Sequence, residues 1–378
     1  MNTRSNQSVP GIRPSILSVT PYQPGTFIED VQDELGFSEI TKIASNENPY
    51  GPYPKSLERM KRELVRLNQY PDSNFKELRR SLGRVHGISP DCICVSHGAE
   101  GMLQTIGKCF IGEGDEVIIP AATYTLYKEI SKVMGATVIA PQMTGESVDL
   151  SAIEERISPK TKLIWIANPN NPTGTIVDKQ AFDRLLDRLP DHTWVVLDEA
   201  YAEFADAALL PDRVSLIRDG RHVISVRTFS KAYGLAGARL GYAMAGKAVV
   251  TVINTVSEPF NANRVAIAGA LAALDDDADS FREAVSRIKQ DRALTENRLG
   301  LMGLRVIPSH ANFLMFETPV PAKRVFDALL KVGVIVRPCN AWGYDHMVRV
   351  TIGTSAQMDK FIEALSTVLQ SHETTVAE

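Results

Sequence analysis

The stretch T228-F-S-K-A-Y-G-L-A-G-A-R-L-G-Y242 decides how the chain is read. It follows an apolar run of strand length, Val223–Arg227, and puts two hydroxyls (Thr228, Ser230), one lysine (Lys231) and one arginine (Arg239) just beyond that strand's carboxyl end. Hydroxyl and guanidinium donors suit an anionic phosphate, and an amine whose pKa burial can lower suits an aldehyde.

Working outward, strand-length apolar runs alternate with helix-period segments from about Ile93 to Met244. The runs are Glu116–Ile119, Thr137–Ala140, Lys162–Ala167, Trp194–Asp198, Val223–Arg227 and Leu240–Met244. That alternation predicts an α/β fold with a mostly parallel central sheet and helices on both faces. Phe182, Leu185, Leu186 and Leu189 recur at helical spacing before Pro190, so this segment is a helix with one buried face. Beyond it, long amphipathic segments, Phe281–Leu299 and Gln357–Gln370, interleave with strands near Asn312–Phe316 and Val348–Ile352. The predicted organisation is an N-terminal arm over residues 1–40, rich in proline and glycine, a large domain over 41–275, and a smaller α+β C-terminal domain over 276–378.

Three further segments place chemistry at strand ends. VVLDEAY delivers Asp198 to the carboxyl edge where sheets of this kind bind ligands, with Tyr201 three residues on. A carboxylate buried there requires a cationic partner such as a protonated ring nitrogen. NPNNPTG, Asn168 to Gly174, stiffens a turn and aims an amide at the same edge. SHGAEGML, Ser96 to Leu103, opens a helix whose first free N–H groups can cradle phosphate. Singly, each is an ordinary turn or cap; in succession they furnish the parts of one site.

The composition of the 378 residues narrows the partners: net charge is -4, with 44% hydrophobic and 23% charged residues. No basic surface for nucleic acid is expected, nor a membrane span, since no apolar run approaches the roughly 18 residues one needs. The N-terminal stretch lacks an apolar signal core, so a cytoplasmic location is expected. Cys92, Cys94, Cys109 and Cys339 lack metal-site spacing and read as reduced thiols, with no metal expected.

With these segments in hand, the chain resembles the class I and II aminotransferases of pyridoxal-5′-phosphate (PLP) fold type I, and among them the histidinol-phosphate aminotransferases. Marks of the resemblance are PYQPG (Pro21–Gly25), ASNENPYGP (Ala44–Pro52), YPD (Tyr70–Asp72), TYTLY (Thr123–Tyr127), VIVRP (Val334–Pro338) and VRVTIGT (Val348–Thr354), besides the segments above. It implies that Lys231 is catalytic and carries the cofactor, that Asp198 pairs with the pyridine nitrogen, and that Asn171 and Tyr201 bond the ring oxygen. Tyr124 is implied to stack on the ring. The phosphate falls to the N–H groups of Ala99 and Glu100, to Thr228, Ser230 and Arg239, and to Tyr70 from a second subunit of a homodimer, with the Glu100 carboxylate pointing outward. Arg349 and Arg337 are implied to bind substrate anions, with Tyr22 and Asn46 closing the site.

The implied reaction is a ping-pong amino transfer between histidinol phosphate and 2-oxoglutarate or glutamate. Thr26-Phe27-Ile28-Glu29-Asp30 after PYQPG departs from the family pattern, and Trp342 and Tyr344 add aromatic surface near Arg337. Transfer from aromatic amino acids, or decarboxylation on the same scaffold, therefore remains open at this stage.

Overall fold

The computed structural model describes residues 10–21, 32 and 39–376. Seven strands form the main sheet: β1 Ile93–Ser96, β2 Glu116–Ile118, β3 Thr137–Ile139, β4 Thr161–Ala167, β5 Trp194–Asp198, β6 Val223–Thr228 and β7 Gly241–Met244. Their spatial order is β1-β7-β6-β5-β4-β2-β3. Strands β6, β5, β4, β2 and β3 pair in parallel, whereas β7 runs antiparallel to both its neighbours.

The central strands are buried on both faces, which is why they read as unbroken apolar runs. Leu163, Trp165 and Ala167 of β4 pack on one side with Met102, Ile106 and Tyr127. Ile164 and Ile166 alternate onto the other side, against Phe182, Leu185 and Leu186 of the helix Lys179–Asp187. Each large apolar side chain fully buried in this way contributes roughly 1.5–3 kcal/mol. The parallel register sets Ala167 beside Asp198 and Asp198 beside Val226, so the chemistry-bearing residues line up along one edge.

A second sheet holds β8 Val306–Ile307, β9 Phe313–Glu317, β10 Arg337–Pro338 and β11 Met347–Thr351, in the antiparallel order β10-β11-β9-β8. The helices Ala278–Leu301, Ala322–Leu330 and Ser355–Val376 cover it, burying Phe313, Phe316, Leu329 and Phe361 together. Thr41–Lys42 pairs in parallel with Val334–Ile335, so the segment that leads into ASNENP runs alongside this part of the molecule. Within the predicted arm, residues 10–21 lie on the helix Leu126–Val133: the Thr20 N–H donates to Glu129 Oε2 at 2.7 Å, and Lys132 Nζ donates to the Ser18 carbonyl at 3.0 Å. None of the described helices is long and apolar enough to cross a membrane.

Candidate active site

The carboxyl edge of the main sheet opens into a cavity of about 940 Å3 whose walls include Asp198, Tyr201, Ser230, Lys231, Arg239 and Arg349. Lys231 follows β6 in the turn the sequence marks. Its Nζ donates to the Ser45 carbonyl at 3.1 Å and lies 5.8 Å from the Tyr201 ring centroid. Burial lowers its pKa from 10.5 to about 8, helped by Arg349 and Arg239 and opposed by Glu47 and Asp198. An amine in that range is uncharged often enough near neutrality to attack a carbonyl or accept a proton.

Asp198 ends β5 and is only 6% exposed. Burial raises its pKa, and a hydrogen bond from the Tyr127 hydroxyl at 2.7 Å and another from the Ala200 N–H at 3.0 Å act against that shift. Tyr127 stacks on Trp165 with centroids 5.2 Å apart and meets Tyr124 edge to face at 5.5 Å. One buried ring thus braces both the carboxylate and the tyrosine expected to cover the ligand.

The phosphate-type donors converge at the start of the helix Gly98–Phe110, where the N–H groups of Ala99 and Glu100 belong to the first turn and have no intrahelical acceptor. Gly98 sits at φ +87, and a Cβ there would lie 3.1 Å from Arg239 Nη2. Gly241 of β7 likewise lets that helix approach, since a Cβ would lie 2.4 Å from the Ala99 nitrogen. Thr228 and Ser230 line the cavity beside Arg239, whose own backbone is left-handed at φ 58. The Glu100 carboxylate, read from sequence as pointing outward, comes within 3.9 Å of Arg239 Nη2 in a pair that is half exposed. Such an exposed pair is weak and competes little with a bound anion.

Arg349 on β11 faces Arg337 on β10 in direct register. Arg349 Nη1 donates to Asn171 Oδ1 at 2.5 Å and Nη2 to the Ala44 carbonyl at 2.7 Å. With the Asn171 oxygen held in this way, its amide NH2 is left as the group that can serve a ligand oxygen. Trp342 lies 5.7 Å from the Arg349 guanidinium and 5.8 Å from that of Arg337, and its indole N–H donates to the Thr123 carbonyl at 2.8 Å.

Among the sequence-predicted residues, Ala99, Glu100, Tyr124, Asn171, Asp198, Tyr201, Thr228, Ser230, Lys231, Arg239, Arg337, Arg349 and Asn46 share the cavity wall. Asn46 turns its amide onto Tyr201 and Thr351. Tyr70 lies elsewhere, 77% exposed and stacked on Phe260 at 4.4 Å. Tyr22 falls outside the described residues. Sequence reading passed over Tyr127, Ser45 and Thr351. Tyr127 was within reach of it, three residues after Tyr124 and hence on the same side of a helix start; the Ser45 carbonyl has no side-chain signal at all. The donor set fits a ring bearing a phosphate, an oxygen, a basic nitrogen and an aldehyde, each with a matching group along one wall.

Comparison with known proteins follows the same lines. The family model for aminotransferase class I and II matches residues 38–365. The histidinol-phosphate aminotransferase of Moorella thermoacetica is 40% identical over 365 residues, covering 96% of this chain and 94% of that protein. The enzyme of the same name from Symbiobacterium thermophilum is 37% identical, covering 95% and 98%. Among solved structures, histidinol-phosphate aminotransferase from Sinorhizobium meliloti in complex with pyridoxal-5′-phosphate superposes with a TM-score of 0.89 at 28% identity, over 97% of this chain and all of that one.

Proposed function

The chain belongs to the class I and II aminotransferases, a family of PLP-dependent transaminases, and on that premise we propose that it moves an amino group between histidinol phosphate and 2-oxoglutarate by a ping-pong cycle. The observation that carries this reading is the pair Arg337 and Arg349, facing each other on adjacent strands at one cavity wall. Like charges set directly opposite are unfavourable, and an anion between or above them would relieve that repulsion. A phosphate dianion in one half-reaction and a dicarboxylate in the other both meet that requirement, and the guanidinium fork suits each. The 40% identity to a histidinol-phosphate aminotransferase over nearly the full chain supports the same donor.

Bound PLP supplies an aldehyde that accepts the amino group and a protonated ring that draws in electrons released at the substrate Cα. The chain's residues do the rest. Lys231 would hold the cofactor through its Nζ and, as an uncharged amine, would take up and return the substrate Cα proton. Burial raises the Asp198 pKa and the Tyr127 hydroxyl opposes that rise; as an anion Asp198 would hold the proton on the ring nitrogen. Asn171 and Tyr201 would donate to the ring oxygen, Tyr124 would cover the ring, and Ala99, Glu100, Thr228, Ser230 and Arg239 would hold the phosphate. Tyr70 completes that cup in a partner subunit of a homodimer.

The aromatic wall of Tyr124 and Trp342 favours a second reading, in which phenylalanine or tyrosine is the donor. Purified protein, assayed with 2-oxoglutarate against histidinol phosphate, phenylalanine, tyrosine, aspartate and leucine, separates the two by kcat/KM. Highest efficiency with histidinol phosphate is expected; preference for an aromatic donor would replace the proposal, and release of CO2 without amino transfer would end both.

A further inference from the structure

Behind the wall that carries Tyr201, a short chain of hydrogen bonds runs to the small sheet. Asn46 and Thr351 form it, 1% and 4% exposed. The Asn46 N–H donates to Thr351 Oγ1 at 2.8 Å. With that lone pair engaged, the Thr351 hydroxyl donates in turn to Asn46 Oδ1 at 3.1 Å. This fixes which way the amide lies. Turned over, it would set its NH2 against the Thr351 proton and leave a buried hydroxyl without an acceptor, a costly state.

With Oδ1 committed to Thr351, Asn46 Nδ2 faces Tyr201 and donates to its hydroxyl oxygen at 3.0 Å. A phenol that accepts on one side directs its own O–H away from that donor, and here Tyr201 borders the cavity that also holds Lys231. Asn46 is kept in this pose by a left-handed backbone, φ 56, which asparagine tolerates better than most residues, and by a bond from Asn312 Nδ2 to its carbonyl at 3.1 Å. Thr351 lies two residues beyond Arg349 on β11, on the same face of the strand.

We infer that Thr351 is a positioning residue: through the Asn46 amide it sets the direction of the Tyr201 hydroxyl, so that the phenol proton is presented to the ring oxygen of the cofactor. The inference rests on the proposed role of Tyr201 at that oxygen. It makes β11 do two things, hold the substrate arginine and orient a donor to the cofactor, so a displacement of this strand reaches both.

The test uses Thr351→Val, which keeps the shape and removes the hydroxyl, and Thr351→Ser, which restores it. Two readouts are independent of turnover: the pH midpoint of the visible absorbance of the PLP-loaded protein, and the Kd of the cofactor-free protein for PLP. A donor to the ring oxygen stabilises its anionic form, so losing one raises that midpoint. Lys231 and the charged groups that act on it, Arg349, Glu47, Arg239 and Asp198, are common to all variants. Thr351→Val should move the midpoint upward, in the direction Tyr201→Phe moves it, and weaken PLP binding roughly fivefold. Thr351→Ser should return both values toward wild type, and Thr351→Val combined with Tyr201→Phe should shift no further than Tyr201→Phe alone. A lowered melting temperature with an unmoved midpoint would reduce Thr351 to a packing residue and overturn the inference, as would full additivity in the double variant. Absence of the band in wild-type protein would overturn the cofactor reading and the inference with it, whereas a normal wild-type band with an unmoved midpoint in Thr351→Val overturns the inference alone.

Discussion

Lys231 carries a pH signature that needs no substrate to observe. Its pKa falls from 10.5 to about 8 on folding, chiefly through burial. Between those values the unfolded chain holds a proton that the folded chain has released, so the stability of the cofactor-free protein rises with pH through the window and this contribution is lost as pH falls through about 8. Denaturant melts of wild type and Lys231→Met at about pH 8 and about pH 10 should show a steeper rise for wild type, and parallel behaviour would mean the lysine is not desolvated. Asp198 and Tyr201 sit one turn apart yet differ in weight. Asp198→Ala removes the partner of a ring charge, on the order of a hundredfold or more in kcat, while Tyr201→Phe removes one hydrogen bond, about fivefold. Comparable small losses in steady-state kinetics would contradict the assignment. Arg349→Lys keeps charge but not the fork, and kcat/KM should drop for donor and acceptor alike by about 1.5–3 kcal/mol each. Because Arg349 also grips Asn171, PLP affinity should weaken alongside, an effect that Arg337→Lys should not share.

At the scale of elements, two close approaches decide whether the site exists. The helix Gly98–Phe110 brings its first N–H groups to the cavity beside Arg239 only because Gly98 adopts φ +87 and Gly241 lets β7 pass beneath it. Gly98→Ala combines a strained backbone with a Cβ against Arg239, so PLP affinity should fall and stability should drop by about 1–3 kcal/mol. Titration of PLP into the cofactor-free variant, with a melting curve, checks both; unaltered affinity would mean that the helix start is no phosphate cradle. The loop NPNNPTG depends on a similar contact. Gly174 sits at φ +77, where a Cβ would fall within 2.2 Å of Ser309 Oγ. Asn170 accepts from the Thr123 hydroxyl at 2.7 Å and donates to the Ala122 carbonyl at 3.0 Å, which pins the loop and leaves Asn171 facing the cavity.

For the whole molecule, the proposed homodimer is tested at Tyr70. That side chain is exposed and stacked on Phe260, near the exposed apolar residues Leu64, Val65 and Leu67 on one stretch of chain. A twofold arrangement that brings this tyrosine to a neighbour's phosphate cup makes both sites equivalent. Sedimentation should report a dimer at working concentration, and Tyr70→Phe should weaken PLP binding without loss of the dimer. A monomer with full activity would detach Tyr70 from the site.

Sequence alone determined the sheet and its chemical edge, because a strand buried on both faces must be written as a continuous apolar run, and because hydroxyl, lysine, carboxylate and amide at the ends of successive parallel strands necessarily meet along one line. Asn171, Asp198 and Lys231 come to one cavity wall for that reason, whereas Arg239 reaches it just before the antiparallel β7. What only the tertiary structure decided are the contacts between segments far apart in the chain: the Ser45 carbonyl at Lys231, Tyr127 beneath Asp198, Arg349 on Asn171, and Thr351 on Asn46. The Tyr127 contact comes from the helix Leu126–Val133 packing on the main sheet, the others from how β11 and the segment after Lys42 lie against it, and no local periodicity encodes a contact between residues 305 positions apart. Hydrogen-bond direction is likewise a property of the assembled neighbours, since an amide or a hydroxyl donates or accepts according to what stands opposite it.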